Sequence, residues 1–375
     1  MSRFNQLAAE HDVVRPPAAA TPRVSVIVPT YNTRAHVRAA VESLLRQTLV
    51  ELEVIVIDDA SSDGSTETLS DITDSRLRIV RHWHNQGLSG ARNTGIALSR
   101  GPYVALLDAD DVSLPLRCER QVALLDARPE VGLVGCWSNR IDLQGRLIAV
   151  GRDEWRVSDA ALRPLMLFTN PFTASTIMVR RSSLPAHGFL PIYAEDYALV
   201  ADVARAAEVA LVRETLVDYR ITPGGIMQSK LERVAEDGLA TQRSLLAEAG
   251  LDEAGYDFAQ MRTLLYFGRA EPGAMTLEWL LGIRDWIERI HAANSRSGRY
   301  APDALLEASA RAWDVFVLHA TRTQSLRPCR RYLTRVLPFL MDAAAAPLRA
   351  RALAHSVRNA LRSERRASVE PTARR

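Results

Sequence analysis

The sequence predicts an α/β fold, in which helices flank a mostly parallel sheet and a helical extension follows at the C-terminal end. Short apolar runs alternate with amphipathic helical patterns from Val24 onward, as in successive βα units. Of the 375 residues, 47% are hydrophobic, which is ample for a buried core. From about Lys230 only helical patterns continue, and these predict the extension.

Four strands are predicted in the first part of the chain. They are VSVIVP at 24–29, LEVIVI at 52–57, LRIV at 77–80 and YVALLD at 103–108. A helix at 36–47 follows the first strand, and a glycine-bearing loop that becomes a helix, at 85–99, follows the third. Polar residues come directly after each strand. Because open α/β sheets bind ligands outside the carboxyl ends of their strands, we expect one crevice there.

Three carboxylates, those of Asp108, Asp110 and Asp111, end the fourth strand. Like charges at this spacing repel each other, and burial adds to the penalty, so the cluster favours a bound cation. Oxygen ligands suit Mg²⁺ or Mn²⁺, which commonly join protein carboxylates to substrate phosphates. Alternatively, Asp108 caps the next helix and the other two acids face water; a D-x-D tripeptide alone leaves both interpretations open.

The second and third strand ends carry weaker signals. Asp58 and Asp59 suit a ligand site but equally suit caps and turns. Gly87 and Gly90 allow close backbone approach before a helix N-terminus, where an anion is favoured. Arg92 opposes the dipole of that helix, which favours a phosphate or carboxylate partner, with a surface salt bridge as the alternative.

Four segments together resemble one family. SVIVPTYN, VIVIDDASSDGS, NQGLSGARNTGI and YVALLDADD, in that order, resemble the nucleotide-sugar-binding half of a family 2 glycosyltransferase with the GT-A fold. The resemblance runs from about Val24 to Ser113 and continues more weakly to about Ser229. It implies inverting transfer of a sugar from a nucleoside diphosphate, with uridine expected, to the hydroxyl of a glycan, lipid-linked or other acceptor.

The resemblance assigns donor-binding roles by position. It places four residues against the nucleobase, namely Pro29, Thr30, Tyr31 and Asp59, with Asp58 beside it. It places Arg92 at the base or diphosphate, and Asp108 at the ribose. Asp110, supported by Asp111, would hold a divalent cation, Mn²⁺ or Mg²⁺. Such a cation neutralises the charge that develops on a diphosphate leaving group.

The second half must supply a base for the acceptor hydroxyl. The family carries its base in an acidic pair before an aromatic residue at the head of a helix, and Glu195, Asp196 and Tyr197 resemble that pattern. Asp196 is expected to be the base, with Glu195 as its orienting neighbour. General bases contribute on the order of 10²- to 10⁴-fold. The alternative is that both acids only stabilise the first turn of the helix that runs to Ala207.

Two departures from the family pattern bear on function. Thr222 stands where members often carry a histidine after Tyr-Arg, and no Q-x-x-R-W segment of processive synthases is present. The second departure predicts addition of single sugars, in cell-surface polysaccharide or glycolipid synthesis. The first keeps an alternative open, a catalytically inactive nucleotide-sugar-binding protein with a regulatory or scaffolding role. A nucleotidyltransferase is a more distant reading, since PTYNTRAHV is not a basic glycine-rich loop.

The predicted domain organisation has four parts. They are a flexible leader at 1–22, a GT-A domain at 23–229, a helical extension at 230–363 and a disordered tail at 364–375. The GT-A domain divides into a nucleotide-sugar-binding half at 23–113 and an acceptor half at 114–229.

Composition excludes several classes of protein. A net charge of +3 makes no case for nucleic acid, and three cysteines make none for a disulfide framework or zinc site. Without a signal-type segment or a run of about 20 apolar residues, the chain is expected to be cytoplasmic. The arginine-rich helices beyond Arg327 are either ordinary solvated helices or a basic surface that contacts the inner face of the membrane.

His82 and His84 flank Trp83, and the interpretation there is a loop that packs an aromatic ring.

Overall fold

The computed structural model describes residues 11–15, 21–151, 157–225, 229–251 and 277–323. The chain divides into two compact units. Unit 1 comprises Met1–Glu154 and Asn170–Thr241, and unit 2 comprises Trp155–Thr169 and Gln242–Arg375. The boundary before the C-terminal part falls after Thr241 and not at the predicted 229, and the short internal segment Trp155–Thr169 belongs to unit 2.

Unit 1 contains the whole sheet. Its strands are β1 (His11–Arg15), β2 (Val24–Thr30), β3 (Leu52–Asp58), β4 (Leu77–His82), β5 (Tyr103–Leu106), β6 (Val112–Ser113), β7 (Val131–Ile141), β8 (Leu147–Ala149), β9 (Met178–Arg180) and β10 (Glu208–Arg220). Its helices are α1 (Val37–Leu45), α2 (Gly87–Leu98), α3 (Arg117–Ala127) and α5 (Glu195–Ala206). Unit 2 contains α4 (Asp159–Leu165), α7 (Leu277–Ser297) and α8 (Pro302–Thr323), and α6 (Leu231–Glu248) begins in unit 1 and ends in unit 2.

The strand order is β1-β4-β3-β2-β5-β9-β7-β10-β6, with β8 added to β7. The four strands that the sequence predicts, β2 to β5, lie side by side and parallel. The α/β fold class is therefore confirmed, although the complete sheet is mixed. Its mixed character arises because β9 runs antiparallel to both β5 and β7.

A strand lies within the predicted leader. β1 pairs antiparallel with β4, with His11 opposite His82. The prolines that predicted a flexible segment, at positions 16, 17 and 22, come after this strand in the chain. Pairing with β1 covers the backbone groups that β4 would otherwise expose at the sheet edge.

The core of unit 1 forms a rigid base for the strand ends. Every residue of β2 and β3 is buried, as expected of parallel strands covered on both faces. α2 approaches β2 closely at Gly95, where an added Cβ would lie 2.4 Å from Ile27 Cγ2. Each buried Val or Ile contributes about 1.5–3 kcal/mol. The loops at the carboxyl ends of these strands therefore start from well-fixed positions.

Unit 2 is helical in its described parts. Phe168 and Trp286 pack edge to face there, with ring centroids 5.2 Å apart. Among the described residues, no helix is both long and apolar enough to cross a membrane. The arginine-rich segment beyond Arg327, to which the membrane alternative refers, lies outside the described residues, as does the predicted tail.

Candidate active site

The strand register aligns the predicted donor residues. Thr30 lies opposite Asp58, and Asp58 lies opposite Arg81, so the ends of β2, β3 and β4 form one row. The backbone N–H of Asp59 extends this row by donating to Thr30 O at 2.8 Å. The carboxyl edge of the sheet thus brings together the residues that follow three separate strands.

Asp58 supports the turn after β3. Its buried carboxylate accepts from Ser61 N at 2.8 Å and from Thr66 Oγ1 at 3.2 Å. Arg81 Nε lies 3.4 Å from its second oxygen. Ala60, inside this turn, has a φ of 63°, a strained value for a residue with a side chain. These contacts make Asp58 a structural residue of the loop, and its place beside a bound nucleobase stays a prediction.

Asp59 is also buried, and three protein groups donate to its carboxylate. Oδ1 accepts from His82 Nδ1 at 2.7 Å and from Gln86 N at 2.8 Å, and Oδ2 accepts from Gly87 N at 2.8 Å. Gly87 adopts a φ of 76°, which favours glycine. The anion at the start of α2 is therefore the Asp59 carboxylate itself, in the position that helix N-termini favour.

The interpretation of the segment around Trp83 was wrong. His82 is the last residue of β4 and only 2% exposed, whereas the Trp83 side chain is 61% exposed. His82 is buried because both ring nitrogens have partners, Asp59 and Thr94. A histidine at a strand end, next to a strand that ends in two acids, was the signal that could have identified this contact.

The other predicted base-binding residues differ in exposure. Pro29 and Thr30 are buried within β2, and the Thr30 hydroxyl donates back to Val28 O at 3.4 Å. Tyr31, directly after the strand, is 52% exposed. Of these three side chains, only that of Tyr31 is free to contact a bound ring.

Arg92 joins the two halves of unit 1. Its buried guanidinium pairs with Asp108 Oδ1, 2.7 Å from Nη2, and with Glu195 Oε1 through Nη1. The Phe189 ring covers it, with the centroid 5.3 Å from Cζ. Burial acts to lower the pKa of Arg92, but the carboxylates of Asp108, Glu195 and Asp196 together outweigh burial. The pKa of Arg92 is therefore above its ordinary value. Of the partners that the sequence allowed for Arg92, the structure therefore shows two carboxylates, those of Asp108 and Glu195.

Glu195 and Asp196 begin α5 beside this arginine. Burial raises the pKa of Glu195 to about 8, against the opposing effect of Arg92 and with a further contribution from Asp196. Burial also raises the pKa of Asp196, again against Arg92. Asp196 Oδ1 accepts from its neighbour Tyr197 N at 2.7 Å, and Oδ2 accepts from Asn170 Nδ2 at 3.3 Å. A carboxylate with a raised pKa is better matched to proton transfer near neutral pH.

Asp110 and Asp111 are held by the last residue of β10 and the segment that follows it. Thr222 Oγ1 donates to Asp110 Oδ2 at 2.8 Å, so this threonine contacts the acid predicted to bind metal. Arg220 donates from its backbone N to Asp111 Oδ1 at 2.7 Å and from Nε to Asp110 O at 2.6 Å. No sequence pattern predicted a role for Arg220 at these acids.

The charges around these two acids are unbalanced. Burial and the neighbouring Asp108 raise the pKa of Asp110, and burial, Asp108 and Asp110 raise the pKa of Asp111 well above its ordinary value. Tyr219 lies within reach of the same field: burial raises its pKa, and Asp108, Asp110, Asp111 and Asp196 all add to the effect. The negative charges of four carboxylates therefore act on one phenol.

The donor set fits a hard divalent cation. Asp111 Oδ2 is buried and has no hydrogen-bond partner within the described residues, and Asp108 remains 28% exposed. A cation at Asp110 would satisfy oxygen ligands and relieve their mutual repulsion. No group of three or more His, Cys, Asp or Glu side chains in the described ranges is arranged as a complete metal site.

Comparisons with known proteins identify the family. Residues 25–186 match the family model of glycosyl transferase family 2. Two uncharacterized glycosyltransferases of Haemophilus influenzae are 31% and 30% identical over 53% and 51% of this chain, and the matches cover 66% and 75% of those relatives. The chain belongs to glycosyltransferase family 2. Its matched part spans just under two thirds of the first relative's length.

Two further likenesses concern the activity of a relative and the fold of this family 2 chain. WfgD of Escherichia coli, a UDP-Glc:alpha-D-GlcNAc-diphosphoundecaprenol beta-1,3-glucosyltransferase, is 24% identical over 56% of the chain and 82% of its own length. S. aureus TarS 1-349 in complex with UDP-GlcNAc superposes with a TM-score of 0.53 at 20% identity, covering 80% of this chain and 90% of TarS. The predicted family and the GT-A fold are confirmed.

Proposed function

We propose that the chain transfers a single sugar from a nucleoside diphosphate sugar, with uridine as the expected nucleoside, to an acceptor hydroxyl with inversion. The acceptor is a glycan or lipid-linked sugar in cell-surface polysaccharide or glycolipid synthesis. The observation that carries this proposal is the double ion pair of Arg92, because it joins the predicted ribose acid Asp108 to the predicted base pair Glu195 and Asp196. A donor site and an acceptor base that share one buried cation suit a reaction between two substrates.

Each residue has a distinct task in this proposal. Asp196 accepts the proton of the acceptor hydroxyl while the hydroxyl oxygen bonds to the anomeric carbon of the donor sugar. The nucleoside diphosphate departs with the electrons of the broken bond. Asn170 orients Asp196 through its amide. Attack from the face opposite the leaving group gives inversion.

Arg92 and Asp110 act on the donor side. Arg92 keeps Asp108 and Glu195 in place, since both terminal nitrogens are committed to them. Asp110, steadied by Thr222, and Asp111 would hold Mn²⁺ or Mg²⁺. When bound, that ion supplies charge neutralisation for the diphosphate leaving group. Tyr31 is placed to contact the nucleobase because it is exposed at the end of β2.

The named activities of similar proteins support the choice of substrates. WfgD uses UDP-Glc and an acceptor on diphosphoundecaprenol, and TarS 1-349 was solved with UDP-GlcNAc. Both names contain a uridine diphosphate sugar. A lipid-linked acceptor would also agree with a role in surface glycan synthesis.

The proposal is tested with the full chain and a panel of donors. UDP-Glc, UDP-GlcNAc and GDP-Man are each incubated with a GlcNAc-diphosphate-lipid acceptor and Mn²⁺, and release of the nucleoside diphosphate and the product mass are measured. We expect one donor to give acceptor-dependent release and a product heavier by one sugar. Tight donor binding without turnover across a wide acceptor panel would favour the inactive binding protein instead.

A further inference from the structure

Asp59 has one acceptor position left. A carboxylate offers about four acceptor positions, and three of them are filled by His82 Nδ1, Gln86 N and Gly87 N. The last position lies on Oδ2, since Oδ1 already receives two donors. The carboxylate is only 3% exposed, so its orientation determines whether that position is accessible to a ligand.

His82 is the side chain that fixes this orientation. The two other donors are backbone N–H groups at the start of α2, whereas His82 approaches from β4. The ring itself is held from behind by Thr94 Oγ1, 2.9 Å from Nε2. Because the carboxylate of Asp59 is an acceptor, Nδ1 of His82 carries the proton. Within the described residues, Asp59 and Thr94 are the hydrogen-bond partners of this ring. A series of side-chain hydrogen bonds through Thr94, His82 and Asp59 thus connects the buried side of α2 with the end of β3.

We propose that His82 is a positioning residue for recognition of the donor's nucleobase, acting by turning the remaining acceptor of Asp59 toward the base. This inference rests on the proposed function. The class of base follows, because an acceptor that faces the ring nitrogen selects a base whose ring nitrogen carries a hydrogen. Uracil N3–H and guanine N1–H are donors, whereas cytosine N3 and adenine N1 are acceptors. His82 therefore acts on discrimination between bases and not on the sugar transfer itself.

The matched variants are His82→Asn and His82→Gln. The Asn amide nitrogen takes roughly the place of Nδ1 and can still donate to Asp59, whereas the Gln amide takes roughly the place of Nε2 and reaches Thr94. Both substitutions remove the same ring, so a general loss of packing affects them alike. Only His82→Asn is expected to keep the carboxylate oriented.

The measurement is the ratio of affinities for UDP and CDP, by titration calorimetry without metal. GDP and ADP are measured alongside because they differ in the same way, and pyrophosphate serves as the base-free probe. We expect the wild-type chain to prefer UDP, and His82→Gln to lose about tenfold of that preference. His82→Asn should retain most of it, and pyrophosphate affinity should be equal in all three proteins.

The outcomes separate this inference from the proposed function. An unchanged UDP to CDP ratio in folded His82→Gln, or equal losses in both variants, would overturn the role of His82. If both variants unfold, Thr94→Val replaces them: it should lower the ratio without changing pyrophosphate affinity, and no effect would count against the inference. A wild-type chain that binds no nucleoside diphosphate, either without metal or with added Mn²⁺, would refute the proposed function, and with it the role of His82. Transfer activity with equal affinity for UDP and CDP would refute the inference alone.

Discussion

Two regions of the same crevice handle buried charge in opposite ways. In the paired corner, formed by Asp58, Asp59 and His82, backbone N–H groups, a hydroxyl, an imidazole and Arg81 contact the two carboxylates. In the acidic cluster, formed by Asp108, Asp110, Asp111, Glu195 and Asp196, the only cation paired with carboxylates is Arg92, as far as the described residues show. Burial raises the pKa of four of these five acids.

The difference separates residues that build the crevice from residues that act in it. Acids whose acceptor positions are filled mainly by protein donors stabilise a loop, and of these Asp59 keeps a single acceptor position for a ligand. Acids that outnumber their cations keep capacity for a metal ion or a proton. The aspartates at the end of β3 are therefore held mainly by the protein, whereas the aspartates after β5, two strands away in the sheet, keep capacity for a ligand.

Asp196→Asn should produce the largest effect on activity. The amide keeps an oxygen for Tyr197 N but cannot accept a proton, so the turnover number for transfer should fall on the order of 10²- to 10⁴-fold. Affinity for UDP, measured by titration calorimetry, should stay within about threefold because the donor contacts are elsewhere. Full activity in this variant would exclude Asp196 as the base and weaken the contrast between the two regions.

Asp110→Ala should remove the response to metal. The measurement is the rise in melting temperature that Mn²⁺ and UDP together produce, since a ligand that binds only the folded state stabilises it. We expect the wild-type chain to show a metal-dependent rise and Asp110→Ala to lose most of it. Asp71→Ala is the matched control, because it removes an exposed carboxylate whose partner is Arg38. An equal rise in all three proteins would show that the cluster does not bind the ion.

The fold was largely predictable because buried parallel strands leave a strong local signal. The continuous apolar runs of β2 and β3 and the polar residues after them predicted both the strands and the crevice. β1 was missed because its pairing with β4 is a long-range contact, and the prolines beside it predicted a loop. The short β9, three residues long, gave no sequence pattern by which its direction could be judged.

The site was predictable in its residue types but not in its pairings. That Arg92 needed an anion followed from its position early in a helix, but the choice of Asp108 and Glu195 depends on how α5 packs 103 residues later. Arg220 and Thr222 reach the acidic cluster from β10 for the same reason. The burial that raises the pKa values of these acids is a property of the assembled unit, so no local pattern records it.

Stability measurements should separate the two regions directly. Asp58→Ala leaves the buried Ser61 N–H and the Thr66 hydroxyl without their acceptor, so the free energy of unfolding should fall by about 1–3 kcal/mol. Asp111→Asn keeps the acceptor for Arg220 N and removes one buried negative charge, so stability should be unchanged or rise by up to about 1 kcal/mol. Both are measured by urea unfolding at pH 7.5. A comparable loss in both variants would mean that the acidic cluster is as fully paired as the corner.

Glu195→Gln should give a smaller effect, a shift in the pH dependence of transfer. Asp196 works as a base only when ionised, so kcat/KM should rise with pH as its raised pKa is passed. In Glu195→Gln the positive charge of Arg92, which lowers the pKa of Asp196, is no longer paired with Glu195, so the rising limb should move to lower pH. Glu195 itself has a folded-state pKa of about 8, above its ordinary 4.5, so the folded state binds the extra proton between these values. Its contribution to stability therefore declines as pH rises through that window, and unfolding of Glu195→Gln should depend less on pH there than unfolding of the wild type. If kcat/KM falls but its rising limb stays at the same pH, the role of Glu195 is only to hold Arg92 in place.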